Sequence, residues 1–546
     1  MKKKIVGFLL VMLFFLSIYG NANIIDLDDY DLIELQSTYN DPPGEWMKIY
    51  GGKYHTRPFG LTTTDDGGFF LTGYKSFSDG NYLWFLKTDE NGDELWNKTY
   101  GGSYSELGWG VIQTSDGGFL IVGRTTSSFD EYYTDAWLVK TDENGNVLWE
   151  KTYGENLMDR GYSVLETEDG GFIFVGMKDG DDLVWQYGNI WIVKTTSNGD
   201  VIWETSFMGT EKVDIGYKIR STSDGGYIIA GCHGYYYDDD TEEGGGDIWL
   251  IKIDSEGNKL WENIFGEDNS LEYGWSVDTT IDGGYVLVGH TDYGNHVLIK
   301  TDSDGNKEWQ KLLGEDEYWY HWACRVTQTI DGGYVISGSC RENTSEKPKN
   351  YVMLIQTDSE GNMRWSRKFC EGTSRDYSYS HASIQLDDGS YVLTAYSTVF
   401  YSGWDMNKIS SCVFIKVVDI PPFKPNRPVG EVNGKSGEEY TYTTMTTDSD
   451  GDQIFYMFDW GEGNTSGWLG PYASGEQCEA SYSWDEQYTY QIRVKAKDQY
   501  GVESLWSDPL EVAMPRIRLF HPMEWFIAKI LEWFPELEPL LNHLIG

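Results

Sequence analysis

The chain has 546 residues, and its 87 Asp and Glu outnumber its 42 Lys and Arg, so the formal net charge is −45. Affinity for phosphate backbones and anionic lipid comes largely from Lys and Arg, so this balance excludes nucleic acid as a partner. With 23 Trp and 39 Tyr, the chain can still bury large cores, and its length predicts two or more folded units.

The first 22 residues show the three parts of a secretory signal peptide. Lys2–Lys4 are basic, Ile5–Tyr19 are apolar, and Gly20–Ala22 form a small-residue cleavage site. An uncleaved membrane anchor is the alternative, but this apolar run is shorter than the roughly 20 residues that span a bilayer as a helix. We predict a secreted, extracellular protein associated with the cell surface, without a transmembrane span, in which residues 23–44 are an acidic linker.

Two motifs recur at intervals of about fifty residues, which indicates a repeat architecture. The motif Asp-Gly-Gly-Phe/Tyr begins at Asp66, Asp116, Asp169, Asp224, Asp282 and Asp331, with a degenerate seventh copy at Asp388. The motif Gly-Asn/Asp-x-x-Trp ends six repeats, at Trp96, Trp149, Trp203, Trp261, Trp309 and Trp365. The seventh repeat lacks this ending, but Glu45–Gly52 near the N-terminus match Leu95–Gly102, the end of the first repeat.

Each repeat contains four short runs in which apolar residues alternate, as in β-strands. In the second repeat the runs are at about Trp109–Thr114, Phe119–Thr125, Trp137–Thr141 and Val147–Tyr153. Asp-Gly-Gly falls between the first two runs, where a tight hairpin needs the positive φ that Gly adopts. We therefore predict an all-β fold whose main part, residues 45–419, is a seven-bladed β-propeller closed by the N-terminal strand.

The marks DGGY, KTDxxGNxxW and a terminal YGG resemble the β-propeller repeat of exported prokaryotic proteins. The resemblance implies the propeller fold and export, and it implies no catalytic residues.

A proline-rich linker at residues 420–428 predicts a domain boundary. Beyond it, Asp448–Asp452, Phe458–Gly463, Tyr490–Asp498 and Leu505–Leu510 resemble a polycystic-kidney-disease-like (PKD-like) domain. The resemblance implies an immunoglobulin-like β-sandwich at residues 429–515 that acts as a spacer or adhesion module. Glu462 departs from the pattern, which has Asp in this tight turn.

Residues 516–546 form the tail, and the period of Phe520–Ile545 is helical. The apolar face of this amphipathic helix is predicted to contain Leu537, Leu540, Leu541, Leu544 and Ile545. Charged residues and two prolines exclude a membrane-spanning helix. Two interpretations stay open: a helix that docks or makes peripheral contact with a membrane, or a helix that packs against the sandwich.

Asp448, Asp450 and Asp452 are a candidate metal site, because three carboxylates at alternate positions repel one another unless a cation neutralises them. Calcium is the one cofactor that these oxygen ligands suggest. The alternative is a solvated turn. Turns such as Asp142–Asn146 also alternate Asp and Asn, but hairpin geometry alone explains them and no Glu completes an EF-hand.

Six cysteines allow three disulfides. Cys324 and Cys340 are symmetric about Gly332 in the sixth Asp-Gly-Gly hairpin, which predicts that they lie opposite each other and form a disulfide. Cys370 and Cys412 are a second candidate pair. The alternative for all six cysteines is a buried free thiol.

The chain contains no nucleophile elbow, HExxH, phosphate loop or CxxC pair. Catalysis needs a few unrepeated groups on one site, whereas the residues singled out above recur in nearly every repeat. Binding usually resides in variable loops on a rigid scaffold. The loops predicted on the face opposite the Asp-Gly-Gly turns are rich in aromatic and acidic side chains. The candidate ligand-binding residues are Tyr132, Tyr133, Tyr236, Asp239, Trp319, Tyr320, Trp322 and Trp404.

These observations favour a secreted or cell-surface binding and adhesion protein, without catalysis, whose loop face binds a glycan or a surface protein. One alternative is an extracellular glycan-active enzyme that uses loop carboxylates, because a glycosidase acid and base leave no local motif. Another is a purely structural envelope component, in which the same aromatic side chains wedge between blades.

Overall fold

The computed structural model describes residues 45–534 with internal gaps. The gaps are at 52–53, 103–104, 127–132, 155–156, 181–187, 210–211, 239–242, 267–271, 292–294, 315–317, 343–348, 373–378, 400–408, 419 and 515–521. The predicted signal peptide and acidic linker lie outside the described residues. The chain divides into two compact units, Met1–Ile420 and Pro421–Gly546.

Strands account for nearly all the regular structure of the described residues, which confirms the all-β prediction. In the first unit they form seven four-stranded sets, here called sheets 1 to 7. Sheet 1 contains β2 (Thr56–Thr63), β3 (Phe69–Phe77), β4 (Gly80–Thr88) and β5 (Glu94–Tyr100). Sheet 2 contains β6 (Leu107–Gln113), β7 (Phe119–Thr126), β8 (Thr134–Thr141) and β9 (Val147–Tyr153). Sheet 3 contains β10 (Met158–Glu166), β11 (Phe172–Gly180), β12 (Asn189–Thr195) and β13 (Val201–Phe207). One parallel bridge joins β8 to β10.

The remaining sheets follow the same antiparallel order. Sheet 4 contains β14 (Val213–Ser221), β15 (Tyr227–Asp238), β16 (Glu243–Ile253) and β17 (Lys259–Phe265); sheet 5 contains β18 (Glu272–Thr279), β19 (Tyr285–Thr291), β20 (His296–Thr301) and β21 (Lys307–Leu313); sheet 6 contains β22 (Tyr318–Gln328), β23 (Tyr334–Glu342), β24 (Asn350–Thr357) and β25 (Met363–Gly372); sheet 7 contains β26 (Tyr379–Gln385), β27 (Tyr391–Val399), β28 (Ile409–Val417) and β1 (Trp46–Tyr50).

The first strands of the sheets are neighbours of one another. β2 lies beside β6, and the same relation links β6 to β10, β10 to β14, β14 to β18, β18 to β22, β22 to β26 and β26 back to β2. The fourth strands, in contrast, alternate exposed and half-buried residues along most of their length. The first strands are therefore the inner ones.

The N-terminal strand completes sheet 7, as the sequence predicts. β1 pairs antiparallel with β28, from Trp46 opposite Lys416 to Tyr50 opposite Cys412. Glu45, just before β1, accepts two hydrogen bonds from the Arg367 guanidinium of sheet 6, at 2.8 and 2.9 Å. Both residues are largely buried, so this bidentate ion pair fixes the position of β1.

The core of the first unit lies between consecutive sheets. Phe70 and Phe85 of sheet 1, for example, pack with Phe119 and Trp137 of sheet 2. Similar clusters join sheets 2 and 3, 3 and 4, 4 and 5, and 5 and 6. The cluster around Phe69 also contains side chains of sheet 7, so the first and last sheets share a core.

The repeated tryptophan connects each sheet to the next. Trp96 of β5 covers Gly145 in the turn between β8 and β9, where an added Cβ would lie 2.5 Å from the indole. Trp46 covers Gly92 in the same way. Gly145 also has a φ of +70°, so this position needs glycine both for its conformation and for the space.

Replacing Trp96 with Ala is expected to lower the free energy of unfolding by about 3 kcal/mol, because the large ring loses its contact and leaves a gap between sheets. Leu95→Ala is the matched control, since Leu95 precedes it on β5 and is 55% exposed; its cost should stay below about 0.5 kcal/mol. Urea unfolding of both variants measures the difference. Equal losses would contradict a connecting role for Trp96.

The Asp-Gly-Gly turn holds the first three strands together in sheets 1 to 5, and sheet 2 is the example. Asp116 accepts a hydrogen bond from Thr114 at 2.7 Å and pairs with Lys140 of the third strand at 2.9 Å. The second glycine, Gly118, lies so close to the carbonyl oxygen of Thr141 that a Cβ would be 2.2 Å from it. The aspartate and the second glycine of this motif therefore both have a structural role.

The equivalent ion pair of sheet 3, between Asp169 and Lys194, predicts that the stability of the fold depends on pH. Hydrogen bonds from Lys194 and Thr167 lower the pKa of Asp169 to about 2, whereas an Asp in an unfolded chain titrates near about 3.9. Because the pKa is lower in the folded state, the ionised carboxylate stabilises the fold at pH values above the unfolded-state pKa. This stabilisation is lost as the pH falls from about 4 to about 2.

Asp169→Asn is expected to cost about 1 kcal/mol at pH 7, a modest loss because the carboxylate is 53% exposed. The difference from wild type should vanish near pH 2. Urea unfolding at both pH values tests this. The control is Glu168→Gln, because Glu168 is the exposed residue next to Asp169. A difference that persists at pH 2 would rule out the ion pair as its cause.

The second unit is a β-sandwich with an aromatic core. One sheet pairs β29 (Glu439–Thr444) with β32 (Cys478–Ser483), and the other has the order β31 (Leu469–Tyr472), β30 (Ile454–Asp459), β33 (Thr489–Lys497), β34 (Leu510–Ala513). Trp460 and Trp484 are fully buried between them. The Trp484 indole N–H donates to the carbonyl oxygen of Trp460 at 3.1 Å, which satisfies its polar atom.

The tail contains one described helix, α1 (Pro522–Trp533). It is shorter than the predicted helix, and the residues named for its apolar face, Leu537 to Ile545, lie outside the described residues. Among the described helices, none has the length and apolar character that crossing a membrane requires.

The strand register does not place Cys324 opposite Cys340, as the hairpin symmetry predicts. Cys340 lies opposite His321, and a register shift between Ala323 and Arg325 places Cys324 at a bulge farther along the hairpin. The hairpin closes between Thr329 and Gly333, so its centre is one residue before the assumed one, and the bulge adds a further shift.

The second predicted pair, Cys370 with Cys412, is not supported by the structure. Cys412 is a buried thiol without a disulfide partner, as are Cys232 and Cys478, and burial raises the pKa of the Cys412 thiol. The side chain of Cys370 lies outside the described residues. These three cysteines match the alternative interpretation, a buried thiol in an apolar core.

Candidate functional site

Four of the eight predicted loop-face residues lie on strands. Tyr236 belongs to β15, and Trp319, Tyr320 and Trp322 belong to β22, so their assignment to loops is corrected. These strands run further than the repeat pattern indicates because their pairing continues, for example from Tyr236 to Gly245. The side chains of these four residues lie outside the described part of the structure.

Tyr133 is the one predicted loop-face residue whose side chain is described, and it is 48% exposed just before β8. Tyr132, Asp239 and Trp404 lie outside the described residues. The antiparallel pairing nevertheless fixes where this group belongs: the starts of first strands and the connections between second and third strands share the end opposite the Asp-Gly-Gly turns.

The three predicted metal ligands do come together. Asp448, Asp450 and Asp452 each offer a carboxylate oxygen, and these oxygens all lie within 4.8 Å of one another. The Asp448 Oδ1 atom accepts the backbone N–H groups of Asp450 at 2.9 Å and Asp452 at 3.2 Å. The local sequence thus folds the turn around the Asp448 side chain, as Asp often does in turns.

The Asp448 carboxylate is in an unusual environment for a charged group. The residue is only 6% exposed, and its Oδ2 atom is buried without a hydrogen-bond partner among the described residues. Burial raises the pKa of Asp448 to about 6, and it also raises the pKa of Asp452. An orphaned carboxylate oxygen is costly to bury, so this site favours a proton or a cation.

A fourth carboxylate, which the sequence motifs did not predict, lies beside this cluster. Asp498 follows β33 and is 1% exposed; its Oδ1 atom accepts the N–H groups of Tyr500 and Val502, and its Oδ2 atom is buried without a described partner. Burial raises its pKa, and the charge of Asp452 raises it further. The signal was present in the sequence, because Asp498 and Gly501 repeat the spacing of Asp448 and Gly451.

These residues fit a calcium ion. Calcium takes six to eight oxygen ligands at roughly 2.3–2.6 Å, so oxygens bound to one ion lie within about 5 Å of one another. Oxygens of three carboxylates lie within that distance of one another. The buried Oδ2 atom of Asp448 has no hydrogen-bond donor among the described residues, so it is available as a ligand.

Carboxylates that recur in the first unit are used within the scaffold. The aspartates of the Asp-Gly-Gly turns pair with lysines of the third strands. The carboxylates Glu106, Asp159, Asp214 and Glu272 are buried near the starts of the first strands of sheets 2 to 5. Asp214, for example, accepts the backbone N–H groups of Gly209 and Gly234 at 2.6 and 2.7 Å, so it ties down the connection between sheets.

Calcium is expected to stabilise the second unit by about 1–3 kcal/mol at 10 mM, the value that follows from dissociation constants of about 10⁻⁴–10⁻³ M. Hydrogen exchange of peptides that cover 448–452 and 498–502, measured in the full chain with calcium and with chelator, reports the effect. Asp448→Asn should abolish it, and Glu479→Gln, an exposed change on β32, should keep it. Calcium protection that survives Asp448→Asn would contradict the site.

No protein-family model matches the chain, and no curated protein matches it. Among solved structures, it is 48% identical to the PKD domain of an M14-like peptidase from Thermoplasmatales archaeon SCGC AB-540-F20; the match covers 18% of this chain and 100% of that chain, with a TM-score of 0.17. It is 8% identical to Sqt1 from Chaetomium thermophilum, over 72% of this chain and 95% of that one, with a TM-score of 0.38. The second likeness is too distant to carry an inference. The sequence identity of the first supports the predicted resemblance, and the chain contains a PKD-like domain.

Proposed function

We propose that this chain is an exported, non-catalytic binding protein of the cell surface, in which a propeller presents a ligand-binding face and a PKD-like sandwich acts as the spacer. The signal-peptide pattern of residues 1–22 supports export. The PKD-like domain supports display, because the resemblance stated above implies a spacer or adhesion module.

The first unit is proposed to be a closed seven-bladed β-propeller. Three observations support closure: β26 lies beside β2, β1 pairs with β28, and sheets 1 and 7 share a core cluster. Closure removes the exposed sheet edges that an open arrangement would have. It also gives the protein two distinct faces, one formed by the Asp-Gly-Gly turns and one at the opposite strand ends.

The binding proposal rests on a difference between these two faces in the residues that they contain. The Asp-Gly-Gly face consists of repeated turns whose side chains are used for ion pairs and packing. The opposite face differs from sheet to sheet and concentrates aromatic residues, including Tyr133, Tyr236 and Trp319. Aromatic rings at variable strand ends suit a sugar ring or the side chains of a protein.

Calcium, if bound at Asp448, Asp450 and Asp452, would neutralise carboxylates and rigidify the turn before β30. Asp498 would add its charge from the neighbouring turn. The ion would therefore serve stability of the spacer, and no step of ligand binding is assigned to it.

A glycan and polysaccharide array, probed with the purified secreted chain in calcium and in chelator, tests the proposal. We expect capture of a ligand without product release. Trp319→Ala and Tyr236→Ala should weaken binding about tenfold or more, the loss typical of an aromatic anchor. The control is Ile281→Ala, because Ile281 is 90% exposed in an Asp-Gly-Gly turn on the other face.

Cleaved product that disappears when a carboxylate near the loop face is replaced would show an enzyme and contradict the proposal. Binding that is insensitive to Trp319→Ala and Tyr236→Ala would contradict the proposed face. Absence of any glycan binding, together with absence of any captured surface protein, would favour the purely structural role.

A further inference from the structure

The first strand of every sheet has a β-bulge at the same place in the repeat. The pairing with the second strand shifts register around Phe59, Trp109, Tyr162, Tyr217, Trp275, Cys324 and His381. A bulge leaves its extra residue outside the ladder and redirects the side chain, and bulges are frequent near binding sites. In sheets 1 to 5 this residue is aromatic, and these five residues are here called the aromatic row.

The aromatic row is continuous across five sheets. The ring centroids are 6.4 Å apart between Phe59 and Trp109, 4.8 Å between Trp109 and Tyr162, 5.1 Å between Tyr162 and Tyr217, and 4.4 Å between Tyr217 and Trp275. All five residues are half-buried, so each keeps some accessible surface. Neighbouring inner strands thus present a nearly unbroken aromatic surface.

Trp275 at one end of the row is held in place. Its indole N–H donates to Nδ1 of His290 on β19 at 2.8 Å, and the Tyr273 ring stacks on the same imidazole at 4.6 Å. Burial lowers the pKa of His290 to about 3, which keeps the imidazole neutral and able to accept this bond. A ring fixed in this way can bind a ligand without first losing conformational freedom.

Basic side chains accompany the row, although the chain as a whole is strongly acidic. The guanidinium carbons of Arg124 and Arg160 lie 5.7 and 5.9 Å from the Trp109 ring centroid. The Arg57 guanidinium lies over the Tyr396 ring at 4.4 Å, and its Nε atom is buried without a hydrogen-bond partner among the described residues.

Lys218, directly after Tyr217, lies near two other cations, Arg220 and Arg325. Burial lowers its pKa, and the charges of Arg220 and Arg325 lower it further, while Asp278 opposes them. Asp278 already accepts a hydrogen bond from the Arg220 Nε atom at 2.9 Å. The third-strand lysines of sheets 1 to 5 each pair with the aspartate of an Asp-Gly-Gly turn. Lys218 is instead half-buried near like charges, where an anion would be favourable.

We propose that the aromatic row and Lys218 form a binding site for an acidic sugar, a short saccharide with carboxylate groups as in uronates. The rings supply flat apolar surface for the sugar ring, and the cations supply charge-assisted hydrogen bonds for the carboxylate. An apolar ligand would leave Lys218 without an anion. A long polyanion would be repelled by the net charge of −45.

This site is separate from the loop face of the proposed function, and either can fail without the other. Isothermal titration of the full secreted chain with the trisaccharides of galacturonate and of mannuronate tests it, with their neutral counterparts for comparison. We expect an acidic trisaccharide to bind roughly tenfold or more tightly than its neutral counterpart. Added salt should weaken the binding, because it screens the charges.

Lys218→Met is the decisive variant. It should weaken binding of the acidic trisaccharide roughly tenfold, yet leave the melting temperature of the empty protein unchanged or raised, because it removes a cation that lies beside like charges. A purely structural lysine would show the opposite pattern, with a lower melting temperature. Tyr217→Leu should also weaken binding, and Trp319→Ala on the loop face should not.

The matched control is Lys151→Met on the outer strand β9, where Lys151 pairs with Asp200 at 3.1 Å and is 44% exposed. It should bind like wild type. The proposal is overturned if neither acidic trisaccharide binds, if the neutral counterparts bind equally well, or if Lys218→Met keeps full affinity.

Discussion

The packing of a tryptophan ring against a bare glycine of the following sheet is the contact on which the first unit depends. Trp46 on Gly92 and Trp96 on Gly145 show the pattern, which recurs up to Trp309 on Gly361. Trp365 is fully buried beside Tyr391 of sheet 7, which lacks this turn. Because each ring reaches into the next sheet, the sheets follow one another at a regular spacing and the first strands become neighbours.

This architecture separates residues that hold the scaffold from residues that remain for binding. Lysines of the third strands neutralise the aspartates of the turns, as Lys140 does Asp116, so the motifs that identify the repeat are used within it. What differs between repeats lies at the opposite strand ends and at the positions just after the bulges of the inner strands. Lys218 and Arg325 occupy equivalent positions just after the bulges of sheets 4 and 6, and no repeat motif predicts them.

The sequence predicts local features well and long-range register poorly. The four strands of sheet 2 lie within a few residues of the predicted runs, because alternation and turn chemistry are local properties. Cys324 and Cys340 are not opposite each other because a bulge shifts the register. Asp498 was missed because its place beside Asp452 follows from the pairing of β30 with β33. The aromatic row could have been found by aligning the repeats on their turns.

A crystal structure of the secreted chain with calcium and an acidic trisaccharide would test most directly whether the repeated turns build the scaffold while the aromatic row and Lys218 bind the ligand. We expect a ring closed between β2 and β26, and sugar density against the rings of Tyr162 and Tyr217 with a carboxylate at Lys218. Sugar density on the repeated Asp-Gly-Gly turns, or an open ring, would contradict it.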